Sequence, residues 1–118
     1  MKYVVLIYSN PATWGALPPE EADRVIRVHN DLIEELSASG EFRNIYRLAD
    51  LASTRTVHLV NGVPVVTDGP FGESKEVLAS VWELDVDDLG RAVAVAGPLA
   101  QHAVVEVRPL MDAADLQG

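Results

Sequence analysis

An α+β fold, an antiparallel sheet with two helices on one face, is predicted by three features of this sequence. Two amphipathic stretches have helical periodicity, residues 19–39 and a shorter one after Asp87-Asp88. Short runs rich in Val, Ile and aromatic residues flank them and have the composition of strands. Two of those runs are separated only by Asn61-Gly62, the dipeptide of a type I′ hairpin. At 118 residues the chain is long enough to bury one core and too short for two.

Residues 2–8 form a continuous apolar run, which predicts a strand buried on both faces. Pro11, Gly15, Pro18 and Pro19 make residues 10–19 a loop, and Pro19 followed by Glu20 and Glu21 opens a helix, because proline fits the first turn and acids complement the helix dipole. That helix extends from Pro19 to Ser39 on the stripe Ala22, Val25, Ile26, His29, Leu32, Ile33 and Leu36, and Gly40 ends it. Strands are expected at 42–49 and 55–60. The hairpin returns through 63–67, where Pro64 requires an edge or unpaired position. Residues 76–86 form the next strand, with a first few residues also compatible with a helical turn. Asp87 or Asp88 then caps a helix through Ala96 that Gly97 and Pro98 terminate. A last strand occupies 103–110, and 111–118 is expected to be a flexible tail beyond a single domain of residues 1–110. Strand, helix, strand with an inserted hairpin, strand, helix, strand is a ferredoxin-like order.

Composition excludes several classes of function. Nine basic against 18 acidic residues give a net charge of −9, without a basic cluster for nucleic acid or an anionic membrane surface. There is no cysteine, so disulfides, thiolate metal sites and cysteine nucleophiles are all ruled out. The apolar N-terminal run is too short for a signal-peptide core or a membrane span, and a cytoplasmic location is the expectation. No Gly-rich phosphate loop joins a strand to a helix, and His29, His58 and His102 have no ligand-like spacing, so neither a nucleotide cofactor nor a metal is expected.

The segment Asp68-Gly69-Pro70-Phe71-Gly72-Glu73-Ser74-Lys75-Glu76 contains more than a turn needs. Asp-Gly alone reverses a chain; the fixed aromatic and the alternating charges after it mark a candidate site. Preceded by the Asn61-Gly62 hairpin, it resembles the DGPF-domain proteins, a branch of the YCII-related family. The likeness extends to Met1-Lys2-Tyr3 and Leu6-Ile7-Tyr8, to Glu34-Glu35-Leu36 with Gly40, and to Glu106-Val107-Arg108-Pro109-Leu110, covering nearly the whole chain. The resemblance implies a homodimer in which the open face of each sheet closes against its partner as a dimeric α/β barrel, with a cavity between sheet and helices.

It also implies a role for His29, which stands eleven residues before Gly40, where many of these proteins have a histidine proposed as general acid or base. From its own position alone, on the apolar stripe of the first helix, the residue reads first as a core-edge histidine hydrogen-bonded to a carbonyl. The relatives pair this histidine with an aspartate just before the last strand, where this chain has Gly97-Pro98-Leu99. Asp68 is the candidate replacement, with a turn-capping role as its alternative. Tyr8 and Arg108 are candidate oxyanion contacts, and Trp14, Phe71 and Ser74 candidate substrate contacts; Ser74 lacks a nucleophile-elbow pattern, and Glu73 and Lys75 read as solvated. Two functions follow from the resemblance. One is cofactor-free proton transfer (elimination, isomerisation or cyclisation) on a small organic molecule. The other is a non-catalytic ligand-binding or accessory protein, for example one associated with an extracytoplasmic-function sigma factor.

Overall fold

A computed structural model describes residues 1–72, 74–112 and 114. The element order is β1 (Lys2–Ser9), α1 (Pro11–Gly15), α2 (Pro19–Ser39), β2 (Phe42–Arg47), β3 (Arg55–Val60), β4 (Val63–Asp68), β5 (Val77–Asp85), α3 (Leu89–Ala96) and β6 (Val104–Pro109). Four strands form one antiparallel sheet in the order β2-β5-β1-β6, the ferredoxin-like arrangement, and β3-β4 form a separate two-stranded sheet. Glu73 and most of the tail, residues 113 and 115–118, lie outside the described residues, and so do the expectations that fall on them.

Local chemistry accounts for the boundaries. α2 ends in a Schellman motif: Gly40 takes φ +80°, its N–H reaches the Ser37 carbonyl at 3.2 Å, and the Glu41 N–H reaches that of Leu36 at 2.9 Å. Asp88 caps α3 by accepting a hydrogen bond from the Arg91 N–H at 2.8 Å. Asn61 and Gly62 have φ of +51° and +79°, both positive as a type I′ turn requires. Two expectations need adjustment. The proline-rich loop contains the short helix α1, with Pro11 in its first turn and Asn10 accepting from the Ala12 N–H at 3.0 Å. β5 is extended from Val77 onward, without a helical start.

Alternation along β1 divides the sheet into an inner and an outer face. Tyr3, Val5 and Ile7 are buried, whereas Val4, Leu6 and Tyr8 are half-buried. The strand expected to be covered on both sides is covered on one, because the core holding its inner residues draws its helical members from α2 and α3: Leu32, Leu36, Ala92, Val95 and Ala96, joined by Trp82, Leu84 and Leu99. A bidentate ion pair from Arg91 on α3 to Glu41, 2.8 Å in both contacts, fastens α3 to the turn after α2 and holds the Glu41 carboxyl down at about 2. The hairpin stands apart from the main sheet, with Val57, Leu59, Val60, Val63, Val65 and Val66 all exposed. The molecule is accordingly flat, 50 × 47 × 18 Å, with a radius of gyration of 16.7 Å against about 13–14 Å for a compact domain of this length.

Candidate functional site

On the inner side of the sheet, beside the core, lies a cavity of about 300 Å³. The helical spacing of α2 presents Val25, Ile26 and His29 to it. β1 and β5 contribute Ile7, Ser9, Ala79 and Ser80, and Arg47 at the end of β2 closes one edge. Leu99, Gln101, His102 and Ala103 close the opposite edge, next to β6, and Trp14 of α1 completes the wall. Trp14 and Ser9 also border a second cavity of about 340 Å³, which adds Asp50, Leu51 and Val77.

His29 is half-buried, and its ring meets Trp82 edge-on, with centroids 5.9 Å apart and planes at 86°. Burial, and secondarily the charge of Arg47, push its pKa below the ordinary histidine value. Its imidazole is therefore neutral at neutral pH and able to accept a proton. Trp82 is fully buried between His29 and Phe42, the latter at 6.1 Å and 90°, and its indole N–H has no acceptor among the described residues. The wall side chains around His29 are hydroxyl, amide, basic or apolar.

A second histidine belongs to the same cavity. His102 has a left-handed backbone, φ +58°, rarely adopted by residues other than glycine, and its Nε2 lies 2.9 Å from a Glu21 carboxylate oxygen. Glu21 also binds the Arg24 guanidinium, and these two contacts, Arg24 first, hold its carboxyl at about 2. The histidine–carboxylate pair at this cavity is thus His102–Glu21. Sequence reasoning found no ligand-like spacing for His102 and gave it no role, because nothing in the chain encodes a pairing across 81 positions. The only local hint was Glu21's place on α2, two turns before His29.

Of the residues singled out from the sequence, His29 and Trp14 share the cavity. Asp68 is not among its lining residues and is not brought to His29. It ends β4 on the detached hairpin, pairs with Arg55 at 3.2 Å, and its side chain is 91% exposed. Phe71 is 82% exposed beside His58, with centroids 5.8 Å apart, and the Ser74 hydroxyl accepts from the Glu76 N–H at 3.2 Å. Tyr8 and Arg108 lie on the outer face, where a hydrogen bond to Glu106 raises the Tyr8 pKa above the ordinary tyrosine value. The separation follows from topology: the hairpin pairs only with itself, and the register puts Tyr8 and Arg108 on the side of β1 opposite Ile7. No three His, Asp or Glu side chains gather in a metal-binding group among the described residues.

The chain is similar to known proteins over nearly its whole length. The model of the YCII-related domain matches residues 1–114. An uncharacterised protein of Rhizobium meliloti (strain 1021) is 31% identical over 114 residues, covering 93% of this chain and 92% of the relative. No helix among the described residues is long and apolar enough to cross a membrane.

Proposed function

We propose that this chain, which belongs to the YCII-related family, binds a small organic molecule in the cavity beneath α2 and moves a proton on it through His29. The observation that carries this reading is a half-buried imidazole, biased towards its neutral form, in the wall of a cavity of about 300 Å³, a size at the lower end of small-molecule sites. Apolar side chains of α2, β1 and Leu99 hold the body of the ligand, Trp14 covers it, and Ser9, Ser80 and Gln101 supply hydrogen bonds. His29 takes a proton from carbon or oxygen. His102, oriented by Glu21 as a carboxylate orients a catalytic imidazole, stands at the other edge, where in its protonated form it donates its own proton to the substrate or to a leaving group. Eight positions, about 12 Å along a helix, lie between His29 and Glu21, the partner of His102.

Deuterium incorporation tests this. Small cyclic ketones and hydroxylated aromatic acids are incubated with the protein in D2O, and exchange is followed by mass spectrometry. Enzyme-dependent exchange that is lost in a folded His29→Gln variant is the expected result. Ligand binding that persists without exchange, and is indifferent to His29→Gln, would instead support a non-catalytic binding protein.

The same reading includes a homodimer formed through the outer face of the sheet. Tyr46, Val81 and Leu6 lie in one cross-strand row there, with Val4 and Val104 alongside, and the exposed apolar hairpin extends the surface. Pairing two such faces covers them without disturbing the cavity on the inner side.

A further inference from the structure

The chain has 18 acidic residues and nine basic ones, yet the residues lining the His29 cavity include no aspartate or glutamate. They include one guanidinium, Arg47, and two imidazoles, His29 and His102. Arg47 is exposed and has no carboxylate partner among the described residues, in contrast to Arg24, Arg43, Arg55 and Arg91, which are each ion-paired. Glu21, which touches the wall at His102, is already engaged by Arg24 and His102. In an acidic molecule, a concave surface whose charged group is cationic and unpaired attracts anions, and its low-dielectric walls strengthen that field.

We infer that the ligand of this cavity is a small, flat, apolar molecule bearing one anionic oxygen group, a carboxylate or an enolate or phenolate oxygen, held by the Arg47 guanidinium. The inference rests on the proposed small-molecule site and adds the chemical class of its occupant. The planar fork of arginine suits a carboxylate bidentately. Arg47 is directly opposite Ser80 in the β2-β5 register, so both side chains leave the sheet on the cavity face and the serine hydroxyl offers a second donor there. The apolar body extends along Ile7, Val25 and Ile26 beneath Trp14. If His29 removes a proton next to a carbonyl, the electron pair passes to the carbonyl oxygen and the resulting oxyanion is held at Arg47. The proton stays on His29, so charge and atoms balance without a further reactant.

Benzoate and benzamide, equal in shape and different in charge, are the probes. Their binding is titrated at pH 7.5 by NMR, using the His29 ring and Trp14 indole signals of the wild type, Arg47→Met and Arg47→Lys, each checked for native folding by circular dichroism. The expected result is benzoate binding at least tenfold tighter than benzamide, a preference abolished in Arg47→Met and partly kept in Arg47→Lys. Equal binding of the two probes, or a benzoate preference that survives Arg47→Met, overturns the anionic class and leaves the small-molecule site standing. If neither probe moves the His29 or Trp14 signals, both the inference and the site beneath it fall.

Discussion

His29 shows how far one residue's environment can be predicted from its place in a pattern. Its position on the apolar stripe of α2 implied partial burial, and partial burial, not a charged partner, is the main cause of its lowered pKa. The sign of the consequence for stability is fixed. Above the ordinary histidine value of 6.5 both folded and unfolded chains hold it neutral, and its neutral burial costs nothing extra; as pH falls below 6.5 the unfolded chain binds the proton first. Stability is therefore complete above 6.5 and lost as pH falls through the lower folded value. Thermal denaturation from pH 7.5 to 5 is expected to show a fall in Tm for the wild type that is shallower in His29→Gln; equal slopes would remove the burial argument. Asp68 is the contrasting case. Its carboxylate faces solvent beside Arg55, so Asp68→Ala is expected to change unfolding free energy by less than about 1 kcal/mol and to leave cavity binding unchanged, as titration and denaturant melts would read.

At the level of elements, the hairpin turn and the helix ends were legible because each is decided by a few adjacent residues. Gly40 sits at φ +80° with open space around its α-carbon, so Gly40→Ala meets no clash and is penalised only by its backbone, by about 1 kcal/mol in a denaturant melt. Leu36, one turn earlier and fully buried, tests the packing of α2 against the sheet instead: Leu36→Ala should cost about 2–5 kcal/mol, and a loss below 1 kcal/mol would mean the helix is not anchored there. α1 escaped notice because prolines and a glycine at 11, 15, 18 and 19 mask a five-residue helix that depends on the Asn10 cap. The place of His102 was hidden for a different reason. Its left-handed backbone and its bond to Glu21 arise from where the turn after Leu99 meets the start of α2, a meeting between elements.

For the whole molecule, acid stability and association are the measurable properties. Glu21, Glu41 and Asp85 all have pKa values lowered by hydrogen-bonded cationic partners, Glu21 and Glu41 to about 2. Their stabilisation is present above the ordinary carboxylate range near 4.5 and is lost as pH falls towards 2, so acid unfolding should follow the His29 phase as a separate, lower step. All three are half-buried and still in contact with solvent, which keeps that step modest and makes it shrink at high salt. Light scattering after size exclusion should give twice the 12.8 kDa of one chain, and Leu6→Glu on the outer face should return it to one, with Leu59→Glu on the hairpin weakening the same association. A monomeric wild type would sink the dimer.

The sequence by itself determined the order of the strands and of α2 and α3, the turn that joins β3 to β4, the stops of α2 and α3, and the YCII-related membership of the chain. Each of these depends on residues that are neighbours in sequence or on the succession of such neighbourhoods. Only the tertiary structure decided which candidates share a site. Packing put His29, Arg47, Trp14 and His102 around one cavity. It placed Tyr8 and Arg108 on the opposite face and carried Asp68, Phe71 and Ser74 away with the hairpin region. The physical reason is that strand register and helix crossing bring together residues far apart in sequence, and a pairing such as His102 with Glu21 leaves no periodic trace in the chain that makes it.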